Sequence, residues 1–140
     1  MKLLAIVMAF FLLLAAFIHV YWALGGRRGV ANAIPMVEGE RAFTPGAFVT
    51  LLVAAGLTFF GLLSLSLAGL ISLPIWLSSY LQIIGFIVAG IFLLRAVGDF
   101  KLVGFSKKIK GSPFAVWDSR LYSPLCLFLG AGYVYLSWMA

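Results

Sequence analysis

Acidic residues are scarce in this chain: Asp and Glu number four against ten Lys and Arg, and charged residues make up only 10% of the sequence. Soluble domains carry about a quarter of their residues as charges. A water-soluble globular domain is therefore excluded. None of the four acids, Glu38, Glu40, Asp99 and Asp118, falls within an apolar run, which argues against an antiporter driven by a carboxylate at membrane depth. Cysteine occurs once, at Cys126, which rules out an intramolecular disulfide and a two-thiol relay within one chain. Histidine also occurs once, and His19, with no Cys or carboxylate on its own span, supplies no metal site alone. The chain has no nucleotide-binding loop, no Ser, His and Asp at triad spacing, and no signal for a cofactor.

What fills the sequence is hydrocarbon, at 64% hydrophobic residues. Four apolar runs, roughly residues 3–24, 46–70, 75–94 and 121–139, are separated by clusters of charge or of Pro with Gly and Ser. Each is near the ~20 residues that carry a helix across a ~30 Å hydrocarbon layer, and lipid gives backbone polar groups no other partner. The expected fold class is all-α: a polytopic membrane protein in which residues 1–140 form one four-transmembrane-helix bundle, with an interfacial segment at 99–120. Lys2 ahead of the first run resembles a secretory signal, but the run exceeds the ~7–15 residues of a signal core. Tyr21 and Trp22 also crowd the cleavage region, so a retained span is expected.

Every Lys and Arg except Lys2 lies on one side of these spans. Arg27, Arg28 and Arg41 follow the first span, and Arg95, Lys101, Lys107, Lys108, Lys110 and Arg120 surround the loop after the third. The positive-inside bias places loops one and three in the cytoplasm and both termini outside. The net charge of +6 then faces anionic lipid headgroups, and nucleic acid is a poor match.

Local signals refine this layout. His19 shares a small-residue face with Ala15 and Ala23, where an interhelical hydrogen bond is the plain reading and a proton carrier or ligand contact the functional one. Stripes of Gly46, Thr50, Ala54 and Thr58, and of Ser78, Gln82, Gly85 and Ala89, suit close contact within the chain or across a homodimer. Thr44-Pro45, Ser112-Pro113 and Ser123-Pro124 read as capped helix starts. The short uncharged turn near Pro74 predicts a tight antiparallel hairpin of spans two and three. Arg41-Ala-Phe-Thr-Pro45 parallels Arg120-Leu-Tyr-Ser-Pro124, so the halves read as two parallel-repeat hairpins. The alternative is that hydroxyl-Pro is simply how helices begin.

Residues 95–126 concentrate charge, aromatics and turn formers. Asp99 and Asp118 interrupt strongly basic surroundings, which predicts an ion-pair network at the inner mouth: Arg95 with Asp118, and Arg120 with Asp99. Phe100, Val103 and Phe105 interleave with Lys101, Lys107, Lys108 and Lys110, as in a segment lying on the inner leaflet. Phe114, Trp117 and Leu121 are expected to share one helical face.

The blocks His19-Val-Tyr-Trp22-Ala-Leu-Gly-Gly26, Arg95-Ala-Val-Gly98-Asp99-Phe and Trp117-Asp118-Ser-Arg120-Leu-Tyr-Ser-Pro124-Leu-Cys126, with Phe114-Ala before the last, resemble a family of small bacterial four-span proteins. The family is known only as domain of unknown function 3995. The resemblance covers essentially the whole chain and implies a bacterial inner-membrane protein, with no established activity. The function expected is binding of a small amphiphile or lipid headgroup at the cytoplasmic mouth. Arg95 and Arg120 would contact an anion, Asp99 and Asp118 would hold those arginines, and His19 with Trp22 would line the deeper wall, flanked by Trp117 and Tyr122. The alternatives are a membrane-embedded isomerase or reductase using His19 or Asp99 as acid or base, and an accessory subunit of a membrane complex.

Overall fold

A computed structural model describes all residues, 1–140. Helix accounts for 68% of the chain, and the only strands are a two-residue pair in the first loop. The elements are α1 (Lys2–Ala23), α2 (Val30–Ala33), β1 (Met36–Val37), β2 (Glu40–Arg41), α3 (Ala47–Leu67), α4 (Ile75–Ser78), α5 (Leu81–Val97), α6 (Pro113–Trp117) and α7 (Ser123–Met139). A π-helical turn, Asp118–Tyr122, joins α6 to α7.

The helices α1, α3 and α5 contain no proline, and each is followed within two residues by a glycine at positive φ. At the end of α1, Gly25 adopts φ +98°, and the N–H groups of Gly25 and Gly26 donate to Trp22 O and Tyr21 O, each at 3.0 Å. Gly69, at φ +68°, closes α3 the same way, with Gly69 and Leu70 donating to Ser66 O and Leu65 O. Both are Schellman closures, which satisfy carbonyls that a helix end otherwise leaves orphaned. The expected caps fare unevenly. Ser112 Oγ accepts the Ala115 N–H at 3.2 Å ahead of α6, but Thr44 lies outside α3, whose cap position is Gly46. Ser123 is no cap either, because helix runs through it from α6 into α7.

Packing is pairwise: α1 lies along α3, and α5 along α7. The Ser64 hydroxyl reaches Ala5 O at 3.2 Å across the first pair, and the Gln82 amide donates to Ala140 O across the second. The two pairs meet through a cluster that includes Met8, Leu12, Leu63, Leu67, Val88, Phe92, Leu129, Tyr133 and Leu136. Tyr133 stacks on Phe92 with ring centroids 6.0 Å apart and donates its hydroxyl proton to Phe60 O. Spans two and three do not form the tight hairpin that the short turn predicts. Between α3 and α5 the chain makes the separate turn α4, where the Ser78 hydroxyl bonds Ile75 O at 2.8 Å. Hydroxyls that compete for backbone groups favour such breaks. The helix restarts at Leu81 rather than running unbroken from residue 75.

Two helices, α1 and α3, are long and apolar enough to cross a membrane by length and composition. Their outward faces carry Leu3, Phe10, Phe17, Phe48 and Leu52, all exposed. Contiguous apolar surface of this kind marks an interaction with something other than water.

Candidate functional site

The charged stretch begins where α5 ends. Gly98, at φ +90°, takes a backbone conformation that L side chains rarely adopt, and the chain doubles back so that Gly104 (φ +81°) lies against it. A Cβ on either glycine would collide with the other's backbone. This contact lets the N–H groups of Phe105 and Ser106 donate to Ala96 O at 2.8 Å and Val97 O at 3.1 Å, satisfying the last carbonyls of α5.

Asp99 ties the loop to itself. Its Oδ1 accepts the backbone N–H groups of Lys101, Leu102 and Val103 at 3.0, 2.7 and 3.0 Å. These donors, Lys101 first, hold its carboxyl below the ordinary carboxylate range. Phe100 is held at φ +63° while its N–H bonds Ser106 Oγ at 3.2 Å.

The loop delivers two donors to Asp118, whose side chain is 0% exposed. Oδ1 accepts from Arg95 Nη2 at 2.7 Å, and Oδ2 accepts from Lys107 Nζ at 2.9 Å and from the Gly104 N–H at 2.8 Å. Lys107, only 3% exposed, also donates to Gly104 O at 3.0 Å and Ser119 Oγ at 2.6 Å. Its ammonium thus has three acceptors for three protons. Burial is the largest single influence on the Asp118 carboxyl and pushes it up. The hydrogen bonds from Lys107 and Arg95, the attraction of Arg95 and the Gly104 N–H together outweigh it, and the carboxyl sits below its ordinary range. The π-helical turn begins at this residue, and such turns re-aim side chains and recur at functional sites.

Of the two expected pairs, Arg95 with Asp118 is formed and Arg120 with Asp99 is not. Asp99 Oδ1 is taken by backbone N–H groups, and Arg120 is exposed with no ion pair. Lys107 was expected among the leaflet-facing lysines. It lies inside, while Lys101, Lys108, Lys110, Phe100 and Phe105 stay exposed. No local signal separates Lys107 from Lys108. The π turn also breaks the expected face, burying Phe114 and exposing Trp117 and Leu121.

Loop one folds toward the same end. The Tyr122 hydroxyl donates to Asn32 O at 3.1 Å, and Trp22 Nε1 donates to Arg28 O at 2.8 Å. His19 makes no interhelical bond. Its Nδ1–H donates to Ala15 O, one turn back, at 2.7 Å, and its ring meets Trp22 edge-on at 5.1 Å. No three His, Cys, Asp or Glu side chains come together in a way that could hold a metal ion. What the arrangement offers chemically is cationic: one buried carboxylate fixes two cations, leaving one positive charge in excess.

Fold and site together define a small, mostly helical protein with a charged cluster where the helix pairs meet their loops. The chain belongs to the family described as protein of unknown function, DUF3995, whose model matches residues 11–133. No curated protein and no solved structure matches it.

Proposed function

We propose that this is a bacterial inner-membrane protein whose four long helices all span the bilayer, with loops one and three cytoplasmic and both termini outside, and that it binds an anionic amphiphile or lipid headgroup at the charged end. The outward apolar faces of α1, α3 and α5 support the four-span reading, as does the placement of every cation but Lys2 at one end. The two helix pairs, α1 with α3 and α5 with α7, are compatible with two parallel-repeat hairpins.

The observation that carries the binding reading is the Arg95, Asp118 and Lys107 cluster. A charge buried in the protein is held only at a cost unless it is paired, and a buried ion-pair cluster is a candidate functional site. Here the pairing leaves a net cation, in a segment of chain that also carries the exposed Lys101, Lys108, Lys110 and Arg120. Trp117 and Tyr122 flank it, while His19 and Trp22 have less support as a deeper wall because their own backbone bonds occupy them. An enzyme using Asp99 as acid or base has little support, since three N–H groups hold that carboxylate. The small-residue stripes thought to suit a homodimer are largely buried within the chain at Thr50, Ala54, Gly85 and Ala89. Gly56 and Gly90, which meet nothing within 4 Å, are where a second copy would approach.

Native mass spectrometry of the protein in lipid-preserving detergent tests this. Retention of phosphatidylglycerol in preference to phosphatidylcholine is expected, and equal retention of the two would overturn the binding reading.

A further inference from the structure

The loop after α5 gathers residues that are well separated along it. Ser106 Oγ accepts the Phe100 N–H and donates to Val97 O, which ties Phe100 to the residue that follows Phe105. Lys101 O accepts the N–H groups of Lys108 and Ile109, each at 3.0 Å, which joins the backbone of Lys101 to that of Lys108. Two phenylalanines and two lysines thus share one small patch of surface. Phe100 is 65% and Phe105 52% exposed, and both lysines are exposed as well.

Phe100 is unusual in a second way. At φ +63° it holds a left-handed conformation that costs an ordinary L residue free energy and that glycine takes freely. The ring gains nothing from the core in return, since neither phenylalanine belongs to the buried cluster. A large apolar side chain kept exposed at a strained position points to a contact outside the chain.

Depth and charge identify that contact. Helix α5 has 17 residues, ~26 Å at 1.5 Å per residue, and so falls short of a ~30 Å hydrocarbon layer. A short span draws its flanking residues into the interface. At this end those residues are the loop, and exposed Leu94 and Val97 carry the apolar surface of α5 up to it. Asp99 is the loop's only acid, against exposed Lys101, Lys108 and Lys110, so the surface it presents is cationic and matches anionic headgroups. Lysine stems lie along hydrocarbon while their ammonium groups reach the phosphates.

We infer that the loop 99–110 is a preformed anchor for the anionic leaflet in which the protein sits: Phe100 and Phe105 enter the acyl boundary, and Lys101 and Lys108 bind headgroups. This rests on the four-span reading above and goes beyond it, because the segment meets lipid as one folded patch rather than as an extended stripe. The contact of Gly98 with Gly104 closes the neck of the loop, so the patch is ordered before lipid arrives, which lowers the cost of binding.

The test uses the full chain with Cys126→Ser, in nanodiscs of phosphatidylglycerol and phosphatidylcholine. A nitroxide is attached at a single Phe100→Cys, Phe105→Cys, Glu40→Cys or Ile87→Cys. Power saturation then compares collisions with oxygen, which concentrates in hydrocarbon, and with a nickel chelate, which stays in water. Nitroxides at 100 and 105 should favour oxygen, the one at 40 the chelate, and the one at 87, on the exposed face of α5, oxygen most strongly. Chelate-dominated collisions at 100 and 105, with oxygen still favoured at 87, would overturn the anchor and leave a soluble partner as the occupant of the patch. Chelate-dominated collisions at 87 would instead overturn the four-span reading beneath it. In phosphatidylcholine alone the value at 105 should shift toward the chelate, and an unchanged value would overturn the role of the lysines. Wild type gives a measurement that needs no variant to fold. Phosphatidylglycerol carrying a diazirine near the top of its acyl chain should crosslink to the peptide 99–110, and crosslinks confined to the long helices would overturn the anchor.

Discussion

The ammonium of Lys107 lies 2.9 Å from Oδ2 of Asp118, with both side chains withdrawn from solvent. Removing one partner of a buried pair strands the other charge, at about 3–5 kcal/mol. Asp118→Asn strands two cations and frees the Gly104 N–H from its charged acceptor. It should therefore lower stability by about that amount. Lys107→Met leaves the carboxylate with Arg95 and Gly104 and should cost visibly less. Unfolding of the detergent-solubilised protein would rank them, and a Lys107→Met variant as unstable as Asp118→Asn would show that Lys107, not the carboxylate, is the hub.

The same carboxylate sets a pH dependence. Its pKa is lower in the folded protein than the ~3.9 of an unfolded Asp. The folded chain thus binds fewer protons than the unfolded one as pH falls toward that range, and the ion pairs' contribution is complete above about pH 5. It disappears only as the pH drops through the folded value, below about pH 4. Wild type should hold a constant thermal midpoint from neutral pH to about pH 5 and lose it in more acid solution. Asp118→Asn, already lower, should fall less over the same range, keeping the part that Asp99, also held below its ordinary range, contributes. Thermal scans of both proteins across this range decide the matter, and parallel curves would mean that Asp118 does not titrate with unfolding.

How much of this was legible in the residues depends on range. The apolar runs and the Gly-marked ends of α1 and α3 are local, so the long helices could be read within a few residues. Partner choice among them could not, because a short uncharged turn at Pro74 says nothing of whether α3 will prefer α5 or α1. Arg95 with Asp118 was readable since an acid amid so many bases, next to hydrocarbon, needs a cation. Lys107 was not, because its burial depends on the loop doubling back at Gly98 and Gly104, and Lys108 beside it has the same chemistry. Asp99 looked like an ion-pair partner for Arg120, but backbone N–H groups two, three and four residues away claim it first.

The glycine contact makes a separate prediction. Gly98 and Gly104 combine positive φ with backbone packed where a Cβ would stand, whereas Gly39, at φ +84°, meets nothing within 4 Å. Gly39→Ala should cost only the conformational strain, about 1–2 kcal/mol. Gly98→Ala or Gly104→Ala must in addition open the loop and weaken the Gly104 to Asp118 bond, so each should lose at least about 2 kcal/mol more. Comparable midpoints for Gly39→Ala and Gly98→Ala would mean that the loop opens without cost.

Orientation can be tested with thiols, since replacing Cys126 with Ser leaves no native cysteine. Glu40, Ser72 and Lys108 are all exposed, and Glu40 and Lys108 belong to the two loops that the Tyr122 to Asn32 bond draws to one end. Cysteines at 40 and 108 must therefore label alike whichever way the protein sits, and a cysteine at 72 must label oppositely if α3 crosses the bilayer. The positive-inside bias chooses between the two orientations. A membrane-impermeant maleimide applied to intact cells should modify Ser72→Cys at once, and Glu40→Cys and Lys108→Cys only after permeabilisation. The reverse pattern would invert the protein and put its cationic end outside, where an anionic headgroup would have to come from the other leaflet. Split behaviour of 40 and 108 would be more serious, because it would separate the loops whose convergence builds the site.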